Sequence, residues 1–221
     1  MTPLFVSLRT ALTSGAITFA LGLIAAKAVH GIRSARVKRA LDVFATLPMV
    51  LPPTVAGFLL LMVFGVNRPV GRFFQEAFGV KVAFSWGATV ISAVFISFPL
   101  MYRAARGALE QLDPALSQAA RTIGMSELKL FLRVELKLAL PGVLAGGALS
   151  FARGLGEFGA TAMLAGNILG RTRTLPLAVY SAVAAGDMAE AARYVWVLLG
   201  ISVVCAFAVE MIGAKGGRTN A

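Results

Sequence analysis

Cysteine and histidine are almost missing from this chain, which has one of each, Cys205 and His30. A lone cysteine rules out an intramolecular disulfide, and its place in an apolar run suits a small packing residue. One histidine beside a basic loop, with no paired carboxylates, leaves neither a metal-ligand cluster nor converging acid–base groups. A membrane enzyme is therefore disfavoured, and no catalytic residue, metal site or cofactor of its own is assigned to the chain. None of its lysines is followed by serine or threonine, so the Gly-x-x-x-x-Gly-Lys-Ser/Thr phosphate loop is missing too. Any nucleotide the function consumes must bind another subunit.

Charge is also scarce: 14% of the 221 residues are charged and 58% are hydrophobic, more apolar than an average soluble domain. Val43–Val66 and Val82–Tyr102 carry no charged residue. Such runs match the roughly 20 residues with which a helix crosses a hydrocarbon core of about 30 Å. They lack the alternation of transmembrane β-strands. An all-α integral membrane protein is expected, with about five spans near 11–29, 43–66, 82–102, 138–167 and 194–212. The stretch 175–193 is interrupted by Asp187, Glu190 and Arg193, which suits a short surface or re-entrant helix and leaves a sixth crossing open. The first apolar stretch is longer than a signal-peptide core and precedes a basic loop, so it reads as a retained span. No linker or long repeat divides the chain, and residues 1–221 form one membrane domain.

The formal net charge of +11 would suggest nucleic acid in a soluble protein. Its distribution says otherwise. Arg33, Arg36, Lys38 and Arg39 crowd one segment, and Arg103, Arg106, Arg121, Lys129, Arg133 and Lys137 another, two spans later. The positive-inside rule makes both cytoplasmic. The loops with Arg68, Arg72 and Lys81, and with Arg171 and Arg173, are then external. The N-terminus lies outside, and the C-terminal tail with Lys215 and Arg218 inside.

Pro48, Pro52 and Pro53 fall within the second span. Each removes a backbone donor and pushes the preceding residue out of helical geometry, so this helix should kink or break. Broken backbone at membrane depth belongs where protein or a water-filled cavity satisfies it. Pro52 and Pro53 are thus candidates for a translocation path, with a packing kink as the alternative.

Residues 110–141 are the most informative segment. Asp113 followed by Pro114 supplies an N-cap with proline at the first helical position, and Gly124 suits the left-handed turn that ends a helix. Ser126 and Glu127 begin the next. Spans on both sides hold this helix-turn-helix at the membrane face, which argues against DNA. Ala115, Ala119 and Ala120 would let the short helix press into a groove of a partner; a solvated loop helix is the alternative.

Gln118-Ala119-Ala120, then Gly124, then Val134-Glu135-Leu136 resembles the cytoplasmic loop signature of binding-protein-dependent ABC permeases. Gln118 stands where the family has glutamate, Lys137 where it has proline, and Pro141 comes four residues late. The resemblance implies a type I ABC importer permease fold, with Asp113, Gln118, Ala119, Ala120 and Gly124 in a coupling helix that docks on the ATPase. It argues against a passive channel. Pro48 to Gly57 and the stretch from Arg153 to Leu177 resemble molybdate permeases, with sulfate and tungstate permeases close relatives. The implied working unit is a permease homodimer in the bacterial inner membrane, surrounded by lipid. Two ABC ATPase subunits holding ATP and Mg, and an external oxyanion-binding protein, complete it. A dianion moving inward against an inside-negative potential faces about 4.6 kcal/mol per 100 mV, twice the cost for one charge, so energy input is required.

Arg153 and Glu157 lie four residues apart inside the fourth expected span. Charges there should face the bundle interior or water and pair across one turn. They are gate or pathway candidates, with a packing ion pair as the alternative. Gly154, Gly156 and Gly159 allow a neighbouring backbone to approach closely.

Overall fold

The computed structural model describes residues 2–217, and these contain helices and turns with no strand. Thr2 caps α1 (Pro3–His30), its hydroxyl accepting from Phe5 N. Ser85 caps α5 (Trp86–Glu110) in the same way, accepting from Ala88 N at 3.3 Å. The two helices lie parallel and in register. Thr10 Oγ1 meets Thr89 Oγ1 at 2.9 Å, and Thr18 Oγ1 meets Ser97 Oγ at 3.0 Å. Small hydroxyl residues let helices approach closely in lipid and satisfy each other there.

The long helix α7 (Glu127–Leu155), with a π-helical turn at Phe131–Glu135, runs antiparallel to α5. A Cβ added to Gly146 would stand 2.2 Å from Ala104 Cβ, and Gly154 faces Ala93 and Ser97. Ala26, Val29, Met101, Tyr102, Leu109 and Val143 are the buried core where α1, α5 and α7 meet.

The second span is broken as its prolines predict, but at one point. Pro48 stays inside α2 (Ala35–Val50), and the chain turns by 110° into α3 (Pro53–Phe64). Leu51 and Pro52, each preceding a proline, are extended, with ψ of 137° and 134°. Asp42 lies beside Tyr102 and Arg106 of α5, Ala56 beside Ile96, and Leu60 beside Ala88. The pair therefore travels the length of α5 in reverse as one crossing. Arg36, Lys38 and Arg39 belong to the first turns of α2 rather than to a loop. Part of the expected Arg68–Lys81 loop is likewise helical, α4 (Pro69–Phe78).

The fourth span differs from the expected 138–167. Its helix starts eleven residues earlier, at Glu127, and ends at Leu155. Residues 156–158 interrupt it before the short α8 (Gly159–Leu164). Between α5 and α7 stands α6 (Pro114–Thr122). Asp187 starts the last span rather than breaking it: its Oδ1 accepts from Glu190 N at 2.9 Å, at the head of α10 (Met188–Gly217). The preceding α9 (Leu175–Ala184) is packed rather than superficial. Leu175, Leu177, Ala178 and Ala182 are buried, and Leu175 N donates to Ser7 Oγ at 2.7 Å. At ten residues, or about 15 Å, α9 is too short to be a sixth crossing.

Among the described residues, four helices are long and apolar enough to cross a bilayer, or five with α2 and α3 taken as one broken span. The bundle has an elbow face, carrying α6, and a far face, where Phe84 N donates to Leu164 O at 3.0 Å. Arg218 lies outside the described residues.

Candidate functional site

Local hydrogen bonds shape the elbow. Asp113 Oδ1 accepts from Ala115 N at 2.8 Å at the start of α6. At its end Gly124 takes φ of 79°, Gly124 N donates to Arg121 O at 2.9 Å and Met125 N to Ala120 O at 3.1 Å. These two bonds make a Schellman turn, whose left-handed residue favours glycine. Arg121 then grips Glu127 with two hydrogen bonds, at 2.7 and 3.2 Å, closing the angle between α6 and α7.

One side of α6 is left open. Gln118 and Ala119 are exposed, as are the apolar Leu116, Ile123 and Leu128, with Ile123 77% exposed. Ala120 alone on α6 is buried. The apolar surface formed by Leu116, Ile123 and Leu128 was not picked out by the small-residue pattern, although helical spacing from Leu116 to Ile123 was a signal for it.

The elbow is tied to the bundle through one residue of the motif, Glu135, and partners outside the motif. Glu135, in the π turn of α7, is 3% exposed; it pairs with Lys27 of α1, and its other oxygen accepts from Ser117 Oγ of α6 at 3.3 Å. The Lys27 ammonium also lies 5.2 Å from the centre of the Phe131 ring. Nearby, Tyr102 donates to Asp42, Arg106 lies 3.5 Å from Asp42 and 2.8 Å from Glu110, and Lys38 lies 3.5 Å from Glu110. A lysine inside an otherwise apolar first span was the available signal, since such a charge needs a partner.

Deeper in the bundle, the two breaks meet. A Cβ on Gly159 would lie 2.9 Å from Pro53 Cβ, and one on Gly57 would lie 2.6 Å from Ala160 Cα. Glu157 is 2% exposed. One carboxylate oxygen accepts from Ala160 N at 2.8 Å, and the other from Arg153 at 3.1 Å. The carboxylate thus holds the turn between α7 and α8, while the Arg153 side chain remains about a third exposed, at 35%. Pro52, Pro53, Thr54 and Val55 nonetheless remain exposed within the single chain. The expectation that this break faces protein is met on one side only within a single chain.

Residues 18–215 match the profile of the binding-protein-dependent transport system inner membrane component family. The chain belongs to that family. This permease is 44% identical over 168 residues to the molybdenum transport system permease protein ModB of Escherichia coli (strain K12), covering 76% of this chain and 73% of that protein. It is 39% identical over 215 residues to ModB of Mycobacterium tuberculosis, covering 97% and 79%. Its fold matches a chain of the MetNI methionine ABC transporter in an inward facing conformation, with a TM-score of 0.74 at 17% identity over 96% of this chain and 93% of that one. The permease is thus an all-helical, multi-pass transport subunit with the type I ABC importer fold, and its relatives are transport subunits rather than enzymes. In the permease, the signature residues Gln118, Ala119, Ala120 and Gly124 all fall on α6 and its closing turn, while Val134 and Glu135 fall in the π turn.

Proposed function

We propose that this permease carries molybdate into the cell across the bacterial inner membrane, driven by ATP hydrolysis on a separate ABC ATPase subunit. The observation that carries the reading is the elbow. A helix capped at both ends, exposed along one side and joined to α1 and α7 through Ser117, Glu135 and Lys27 is built to take a push from outside the bundle. Asp113, Gln118, Ala119, Ala120 and Gly124 form the coupling joint. Nucleotide and Mg2+ belong to the ATPase, and an external binding protein selects and delivers the oxyanion. The elbow face is cytoplasmic in this reading, with the N-terminus outside and the C-terminus inside.

The exposed break supports a second copy of the permease across the path. Prolines at 52 and 53 supply no N–H to the carbonyls of Pro48 and Met49 one turn earlier, and groups freed in this way are costly against lipid. Lined by two such breaks, the path meets a dianion with the amino ends of the α3 helices, whose dipoles favour negative charge. Arg153 adds a cation on the path side, and Glu157 sets its position.

The test is uptake of labelled molybdate, tungstate and sulfate by vesicles containing the permease, the ATPase and the binding protein. ATP-dependent molybdate uptake, lost when the ATPase is omitted, is the expected result. Uptake without ATP would make the protein a passive channel. Preferred accumulation of sulfate or tungstate would move the cargo within the same oxyanion class.

A further inference from the structure

The helix α4 is unlike the spans: ten residues long, it cannot cross a bilayer, yet it carries an unbroken apolar stripe. Val70, Phe73, Phe74, Ala77 and Phe78 fall at the spacing i, i+3, i+4, i+7, i+8, which is one face of a helix. Within this chain that face is partly covered at Val70 and Phe74 and open elsewhere. Phe73 and Phe78 are 59% and 65% exposed. The three rings rest on one another, with centroids 5.8 to 6.3 Å apart, as a single apolar cap. The opposite side holds Arg72, Gln75 and Glu76. Beside it Gly71 sits so close to the end of α3 that a Cβ would stand 2.1 Å from Gly65 O.

We infer that α4 lies in the boundary between headgroups and acyl chains of the far leaflet, with its phenylalanine stripe in the lipid. Three observations select lipid as the occupant. The chain enters α4 from the end of one span, α3, and leaves it toward the start of another, α5, so the helix is held at the bilayer surface. Its charges suit phosphate: Arg68, Arg72 and Lys81 flank the stripe against one acid, Glu76, which lies 3.8 Å from Arg72. Val80 and Phe84, 52% and 51% exposed, extend the apolar surface past the helix toward α5. A helix with an apolar face, a basic rim and low overall hydrophobicity is the type that lies in the membrane interface. A soluble partner would leave this patch in water whenever it dissociated, an exposure that proteins limit; lipid covers it at all times. Through the Gly71–Gly65 contact, α4 then anchors the far end of the broken span.

Nitroxide labels test the placement. In full-length Cys205→Ala permease assembled with its ATPase in lipid nanodiscs, single cysteines replace residues 72, 73, 75, 76, 77 and 78. Val203, 62% exposed on the α10 span, provides the lipid-facing reference. Collision with oxygen, which concentrates in acyl chains, is compared with collision with a water-soluble nickel chelate. Labels at 73, 77 and 78 are expected to favour oxygen severalfold over labels at 72, 75 and 76, approaching the Val203 reference. High nickel access at all six positions would place α4 in water and overturn the inference. Low access to both reagents at 73, 77 and 78 would show a protein partner on the stripe and overturn it equally. Neither result depends on which ion the permease carries.

Discussion

Lys27 of α1 and Glu135 of α7 form an ion pair across 108 residues of sequence, and the same carboxylate holds Ser117 of α6. Three elements therefore converge on one buried group at the elbow face. The π turn that carries Glu135 adds a residue to its helical turn, a distortion often found at functional positions. Glu135→Ala leaves the partly buried Lys27 ammonium without its partner, and a loss of about 1–3 kcal/mol is expected. Glu135→Gln retains hydrogen bonding and should cost less. Thermal unfolding in detergent measures the stability. ATP hydrolysed per molybdate imported measures the coupling, which should worsen in the alanine variant. Parental stability and stoichiometry in Glu135→Ala would show that this cluster does not connect elbow and bundle.

Glu157→Gln tests the second junction. The amide oxygen still accepts from Ala160 N, but the charge that holds Arg153 is gone. A charge-assisted hydrogen bond is worth about 1.5–3 kcal/mol, so a fall in uptake of roughly tenfold or more is expected at equal membrane abundance. Unchanged uptake would show that the Glu157 charge is dispensable for transport.

Contact between the two breaks rests on a glycine. Gly57→Val would drive side-chain atoms into the Ala160 backbone, 2.6 Å from an ideal Cβ, and overpacking of this kind costs typically about 1–3 kcal/mol. Gly200→Ala is the control, because a Cβ there meets nothing within 4 Å. Reduced yield of folded protein for the first and a parental melting profile for the second are the expected pair.

At the elbow, Gly124→Val forces a β-branched residue to φ of 79°, a strain of roughly 1–3 kcal/mol. No neighbouring atom lies within 4 Å of a Cβ there, so the cost is conformational rather than steric. Ala119→Glu is harmless in the isolated permease, since Ala119 is exposed, but buries a charge once the ATPase docks. Both variants should insert normally and lose ATPase co-purification or import per ATP. If both retain the ATPase and import at the parental ratio, α6 is not the coupling helix.

Orientation follows from labelling with an impermeant thiol reagent in intact cells. On a Cys205→Ala background, single cysteines replace Arg36, Arg72, Arg121 and Arg171, all exposed in the fold. Positions 72 and 171 should label and positions 36 and 121 should not. The reverse pattern would invert the topology.

Local chemistry made much of the permease legible in advance. Asp113, Pro114 and Gly124 mark the elbow helix because caps and left-handed turns depend on adjacent residues alone, and Pro52–Pro53 marks the break because proline has no N–H to give. The Arg153–Glu157 pair was readable from its spacing of four, although Glu157 lies past the end of the helix, in the break. Other features needed the assembled bundle. Ser126 and Glu127 marked a helix start, but the charged first turns hid its unbroken run into the fourth span, and Asp187 looked like a breaker although its carboxylate caps α10. The pairing of Lys27 with Glu135, or of Asp42 with Tyr102 and Arg106, depends on how far each helix is slid and rotated against its neighbours. That register is set by close approaches such as Gly146 on Ala104, between residues far apart in the chain. Sequence thus determined the caps of the elbow helix and the break at Pro52–Pro53, because those outcomes follow from short-range hydrogen bonding. Tertiary packing decided which distant charges meet, because only the joint fit of several helix faces fixes their relative depth.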